Sequence, residues 1–244
     1  GWPKFALATF LRSEKGIVSA ALAPASVHTV IDGHAVTCTL ETEYPFRNTL
    51  RYRIVTDGPV SFELKLRIPG CAKSATVNGT VAQPGTFFVM DQVWSGTTEI
   101  VVALEFACET VARPRKMQVL WRGPLLYSVA IDERWEKLEY TRDGVERKFP
   151  YCDYEIYPQS PWNYGFTSDT HFAVKENPVS ETPFYTQQPP MEITAMLAPV
   201  DWPLVDGVAA MEPRSRKAQG EPRPVRMIPY GCARLRMTEM PTVE

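Results

Sequence analysis

The residues able to do chemistry are few and scattered. The 244 residues hold three histidines, His28, His34 and His171, and five cysteines, Cys38, Cys71, Cys108, Cys152 and Cys232, none of them in a CxxC pair. His28 and His34 flank Asp32-Gly33, a turn signal, so a hairpin would set the two imidazoles across from each other. Two neutral imidazoles without a third ligand make a poor metal site, and ordinary strand or surface histidines explain them better. Lone cysteines in apolar settings such as VTCTL and EFACET read as buried, inert thiols, and no particular disulfide follows from them. Asp132, Glu133, Glu136 and Glu139 cluster in AIDERWEKLEY, and a carboxylate pair is what glycoside hydrolysis requires. A chain with 28 acidic residues offers such clusters by chance, and sequence spacing does not set the separation of carboxyl groups. With no nucleophile elbow and no phosphate-binding glycine loop, no catalytic, cofactor-binding or metal-ligating residue is assigned.

Aromatic residues are the remaining candidates for ligand contact. Tyr151, Tyr154, Tyr157, Trp162, Tyr164 and Phe166 fall within sixteen residues. Aromatic faces stack on sugar rings, which makes Tyr154, Trp162 and Tyr164 candidate carbohydrate contacts. The same amphipathic rings serve equally as anchors of a sandwich core, the commoner use.

The elements that would carry these residues read as strands and turns. VSFELKLRI (60–68) alternates Val60, Phe62, Leu64, Leu66 and Ile68 with polar partners, the pattern of a half-buried strand. Segments 35–42, 49–56, 86–90 and 98–106 follow, the last a continuous apolar run expected to be buried on both faces. Turn signals separate them at Asp57-Gly58-Pro59, Pro69-Gly70, Pro84-Gly85 and Ser95-Gly96. Asn78-Gly79 in ATVNGTVA suits a type I′ hairpin, a stronger reading than the glycosylation sequon it also spells. After a linker at 112–116 a second, proline-richer block has strands at 117–121, 125–131, 151–157, 171–175, 191–197 and 232–237. Many short strands with frequent turns predict an all-β protein of two consecutive antiparallel β-sandwiches.

The 26 basic and 28 acidic residues leave a formal charge of -2, which gives no field for nucleic acid or anionic membrane. The basic run Arg214 to Lys217 lies among Pro, Gly and Glu and reads as a solvated loop. No apolar run reaches the length of a membrane span, and no secretory signal opens the chain. Neither nucleic acid nor membrane is expected as a partner. Free cysteines lean towards a reducing, cytoplasmic setting.

GWPKFALATFLR does not fit the β pattern. Pro3 suits a helical first turn, Phe5 to Leu11 is nearly all apolar, and Gly16 is a plausible stop. A helix apolar on most sides belongs inside a larger assembly, and without that cover Trp2, Phe5, Phe10 and Leu11 are expected to form an exposed apolar patch or a site of self-association; a strand or helix folded onto the first sandwich is the alternative.

Taken together, Arg67-Ile68-Pro69-Gly70 before the ATVNG hairpin, Arg122-Gly123-Pro124-Leu125-Leu126-Tyr127, Trp162-Asn163-Tyr164 and Ile228-Pro229-Tyr230-Gly231-Cys232 resemble the C-terminal part of glycoside hydrolase family 127, the β-L-arabinofuranosidase-like proteins. The resemblance implies an (α/α)-barrel followed by two jelly-roll-like sandwiches. It implies residues 1–15 as the barrel's terminal helix, 16–114 as the first sandwich and 115–244 as the second. It places a cysteine nucleophile and zinc in the catalytic domain, ahead of Gly1, so neither is carried onto this chain. On this reading the sandwiches are a non-catalytic fragment that supports the missing barrel, with a homodimer interface a further expectation and the parent enzyme's sugar the substrate. The competing reading is a stand-alone carbohydrate-binding module built on residues 151–166; a third is a pseudo-enzyme fragment with an interaction role. One departure stands out: Cys71 follows the RIPG motif where the family usually has Trp, leaving a space for a neighbour such as Trp94.

Overall fold

The computed structural model describes residues 1–243, the side chain of Trp2 excepted, so the expected exposure of Trp2 lies outside the described residues. The chain forms two compact units, residues 1–107 and 108–244. The division thus precedes the expected linker, and residues 112–116 form instead the end and turn of a hairpin inside the second unit.

The first unit opens with a six-residue helix α1 (Trp2–Leu7). Its strands are β1 (Phe10–Ser13), β2 (Gly16–Ser19), β3 (Ala25–Ile31), β4 (His34–Thr42), β5 (Thr49–Arg67), β6 (Ser74–Val77), β7 (Thr80–Ala82) and β8 (Phe87–Glu105). The opening segment is therefore helical only to Leu7. Phe10–Ser13 turns back at Glu14-Lys15 to pair with β2, which itself runs parallel to β5. β1 and β2 thereby join the sheet, and Phe10 is buried in the unit's own core, against the expectation that it would be exposed.

Two turn signals proved to be bends. Asp57-Gly58-Pro59 and Ser95-Gly96 lie opposite each other in the β5/β8 pair, where the register shifts between Thr56 and Val60, and the two strands continue through them for 19 residues each. A register shift kinks a strand without ending it, because pairing resumes on the far side. The first half of the pair is flanked by β4 and β6, the second by β2. Leu50, Tyr52 and Ile54 from one half and Val60, Phe62, Leu64 and Leu66 from the other enter one core. The expected alternation of 60–68 holds on its apolar side. The 98–106 run is buried on one face only: Ile100, Val102, Leu104 and Phe106 point inward while Ala103 and Glu105 face solvent. Asn78 and Gly79 take φ of 46° and 80° between β6 and β7, the positive values a type I′ turn demands.

The second unit contains β9 (Cys108–Arg113), β10 (Met117–Arg122), β11 (Leu125–Val129), β12 (Glu133–Leu138), β13 (Tyr140–Arg142), β14 (Val145–Arg147), β15 (Asp153–Pro158), β16 (Tyr164–Phe166), β17 (Phe172–Glu176), β18 (Met191–Asp201), β19 (Leu204–Val205), β20 (Val208–Ala209), β21 (Ser215–Ala218), β22 (Arg223–Pro229) and β23 (Met240–Pro241). Its main sheet runs β16-β18-β22-β11-β10-β23. β18 is central and contributes the fully buried Met191, Ile193, Ala195 and Leu197. The expected strand at 232–237 is absent: Tyr230–Cys232 is a 3-10 turn, and the sheet position goes to Arg223–Pro229, whose two prolines hide its alternating Val225 and Met227. Ser215–Ala218, read as loop, is a short strand against the end of β18, with Arg216 bonded to Glu212 and to the Arg115 carbonyl. β12 and β15 pair as a separate two-stranded ribbon, exposed along most of both faces.

Candidate functional site

The structure separates the three aromatic candidates. Tyr164 is buried on β16, where Arg223 bonds its hydroxyl at 2.9 Å and covers its ring at 5.1 Å. Trp162 is half-buried against Trp202, ring centres 5.8 Å apart. Tyr154 is exposed on β15 and meets the edge of Trp135 at 5.6 Å. The histidines also part: across the β3/β4 hairpin His28 bonds Thr37, and His34 bonds Asp57 at 3.0 Å, so the two rings do not face each other. Among the described residues no three His, Cys, Asp or Glu side chains group to hold a metal. Among the described residues no helix is long and apolar enough to cross a membrane.

Trp135 was hidden within the acidic run. On β12 the alternation puts Glu133, Trp135 and Lys137 on one face, with Glu136 on the other, so the four carboxylates do not converge. Trp135 Nε1 donates to Glu133 Oε2 at 3.0 Å, and Tyr154 braces the indole edge-on, a contact worth about 0.5–1.5 kcal/mol beyond burial. Beneath the indole lie two adjoining hollows of about 270 and 250 Å³ that share Glu133, Trp135, Thr186 and Gln187. Arg226 closes one and Arg234 the other.

Arg226 is already committed. Its Nε and a terminal nitrogen reach the two Glu192 carboxylate oxygens at 2.9 and 3.2 Å, and Asn177 adds a bond at 2.8 Å. The Arg226 bonds, with Asn177 behind them, hold the Glu192 carboxyl below the ordinary glutamate value. A carboxyl depressed in the folded state adds stability above the unfolded value, and that increment fades as pH falls through the folded value. Glu192→Gln is therefore expected to lower unfolding free energy by about 1 kcal/mol at neutral pH, and to converge with the parent protein at a pH well below the ordinary glutamate value. Urea titrations at the two pH values check this; an equal deficit at both would sink it.

The first unit holds a larger cavity, about 630 Å³, walled by Phe10, Ile17, Val27 and Phe62 and rimmed by Arg12, Glu14, Lys15, Asp32, Glu63 and Asp91. One of its rim carboxylates is paired: Lys65 at 3.2 Å and Lys15 at 3.3 Å hold Glu63, Lys65 foremost in depressing its pKa. The cysteines are all free thiols, and burial pushes Cys38 up to about 12 and Cys232 to about 11, so neither is a nucleophile at neutral pH. Cys71 is exposed near Tyr44. Trp94 does not take up the space beside it: it stacks on Phe62 at 5.2 Å and donates to the Phe62 carbonyl at 2.9 Å, wholly within the core.

At the start of the chain Phe5, Leu7 and Leu11 are 46%, 81% and 49% exposed, which leaves an apolar face on the first unit. A hollow of about 430 Å³ lined by Pro3, Phe5, Ala6, Thr9, Ala23, Pro24 and Ala25 continues it.

Long strands bent around one core make the first unit a β-sandwich-type domain. More particularly, residues 17–106 match the family described as beta-L-arabinofuranosidase, GH127 middle domain. Among solved structures it is similar to the GH127 beta-L-arabinofuranosidase of Geobacillus stearothermophilus T6 (TM-score 0.63, 20% identity, 97% of this chain and 35% of that one). A glycoside hydrolase (TM-score 0.63, 18% identity, 97% and 37%) and a GH127 beta-arabinofuranosidase (0.57, 14%, 93% and 35%) share the fold as well. The chain thus spans little more than a third of these structures' length. No curated protein matches it.

Proposed function

We propose that the chain is the non-catalytic β region of a β-L-arabinofuranosidase-like glycoside hydrolase, and that it supports the catalytic barrel of that enzyme. The GH127 middle-domain match over residues 17–106 carries the reading. The apolar face of Phe5, Leu7 and Leu11 supports it, since covering these side chains would gain roughly 1–2 kcal/mol apiece. The same face is the proposed seat of homodimerisation where no barrel covers it.

The chain alone is expected to release no p-nitrophenol from p-nitrophenyl β-L-arabinofuranoside. It should show a concentration-dependent mass in sedimentation equilibrium, and Leu7→Ser/Leu11→Ser should return it to a monomer with unchanged circular dichroism. Turnover by the chain, or self-association indifferent to the double substitution, would overturn the proposal.

A further inference from the structure

The hollows beneath Trp135 are unused by the supporting role, and their chemistry is specific. An indole that is 47% exposed offers a broad apolar surface, yet it is fixed in place by the Glu133 bond and by Tyr154 at its edge. The opposite wall is equally fixed: Thr186 Oγ1 donates to the Cys232 carbonyl at 2.6 Å, and Cys232 Sγ donates to the Pro183 carbonyl at 3.5 Å. A rigid platform facing a rigid wall loses little freedom when a ligand enters. The two volumes together fall in the roughly 300–1,000 Å³ range of small-ligand sites.

The polar groups select the ligand. Glu133 spends one oxygen on Trp135 and one on a long bond from the Leu235 amide, and each oxygen retains accepting capacity. Asp132 and Gln187 are exposed at the mouth, and Arg234 brings a guanidinium. Arg226 is neutralised by Glu192, so the lining carries two carboxylates against one available cation. That balance disfavours phosphates and other anions, and Arg234 offsets one of the two carboxylates, which weakens the pull on a cation. Acceptors and donors side by side fit hydroxyl groups, which both donate and accept without charge. A ring with hydroxyls at its rim and C–H bonds on its face satisfies the carboxylates, the amide, the guanidinium and the indole together.

We propose that the second unit binds a neutral saccharide in this cleft, one ring stacked on Trp135 and its hydroxyls held by Glu133, Gln187 and Arg234. The site is distinct from the expected Trp162 and Tyr164, whose rings serve packing. It also stands apart from the barrel-supporting role, which depends on the N-terminal face of the other unit.

Titration calorimetry of the full chain tests it with arabinotriose, xylotriose and cellotriose, a furanose and two pyranose trisaccharides, and with tetramethylammonium and inorganic phosphate as charged probes. At least one trisaccharide should bind with a Kd in the millimolar range or tighter. Trp135→Ala should weaken that binding at least about tenfold. Trp135→Phe should retain part of it, and Trp162→Ala should leave it unchanged. The exposed position of Trp135 keeps the fold intact, which circular dichroism verifies. Silence of all three sugars, binding that survives Trp135→Ala in a folded protein, or preference for either charged probe would overturn the proposal. None of these outcomes bears on turnover or self-association, so the two readings fail separately.

Discussion

Replacing Leu64 with aspartate is expected to prevent the first unit from folding. Leu64 is fully buried on β5, with Ile17 of β2 on one side of it in the sheet and Met90 of β8 on the other. Loss of a buried leucine alone costs roughly 2–5 kcal/mol. An unpaired carboxylate in the same place adds several kcal/mol more, because no partner is within the core cluster of Leu50, Tyr52, Ile54, Phe62 and Leu66. The sum rivals the roughly 5–15 kcal/mol by which a domain is stable. Trp94, stacked on the neighbouring Phe62, reports the outcome through its buried fluorescence. Leu64→Met, which keeps volume and polarity, is expected to cost less than about 1.5 kcal/mol and to preserve that signal. A folded Leu64→Asp protein with near-native emission would mean that β5 does not occupy the centre of the sandwich.

That central position could be read in advance because period-two alternation reports burial directly. It is strong at 60–68, where each apolar side chain has a polar neighbour, and Asn78-Gly79 is just as plain because its turn needs two positive φ values. Local signals failed where the deciding partner is distant in sequence. Asp57-Gly58-Pro59 has the composition of a chain reversal, and only the strand opposite, with Gly96 across from Thr56, shows it to be a bend. Phe10 looks like part of an apolar helix until β2 pairs back onto it.

The Trp135 cleft was beyond local reading for the same reason. AIDERWEKLEY presents itself as charge, while the wall facing Trp135 comes from Thr186, Gln187 and Arg234, some fifty to a hundred residues on. The one local trace was the alternation that set Glu133 and Trp135 on a common face. The candidate aromatics of 151–166, by contrast, are close in sequence but divide among a core position, a packing pair and the exposed ribbon. Nearness along the chain does not decide which side of a strand a ring takes.

Gly16→Ala should be the second most damaging single substitution, for a reason invisible in composition. An added Cβ would lie 2.2 Å from the Glu63 carbonyl oxygen and 3.0 Å from the Glu63 carbonyl carbon and amide nitrogen. These are backbone atoms of β5 and cannot swing aside, so β2 would have to move away. Its parallel pairing from Gly16–Glu63 to Ser19–Leu66 would go with it, as would the 2.8 Å bond between Ser19 and Tyr52. The expected cost is about 3 kcal/mol or more, several lost hydrogen bonds plus opened packing at Ile17. Gly79→Ala is the matched control: its φ of 80° strains an alanine, but nothing lies within 4 Å of the added carbon, so about 1–2 kcal/mol is expected. Urea midpoints of the two variants measure the gap. Because β1 hangs from β2, a loosened Gly16 variant should also be cut by protease near residues 8–20 while the remaining sheet resists. Such cutting would release Leu11 and α1 together, and with them the apolar face on which the proposed support of a barrel depends. Equal midpoints for the two glycine variants would place β2 elsewhere than against β5.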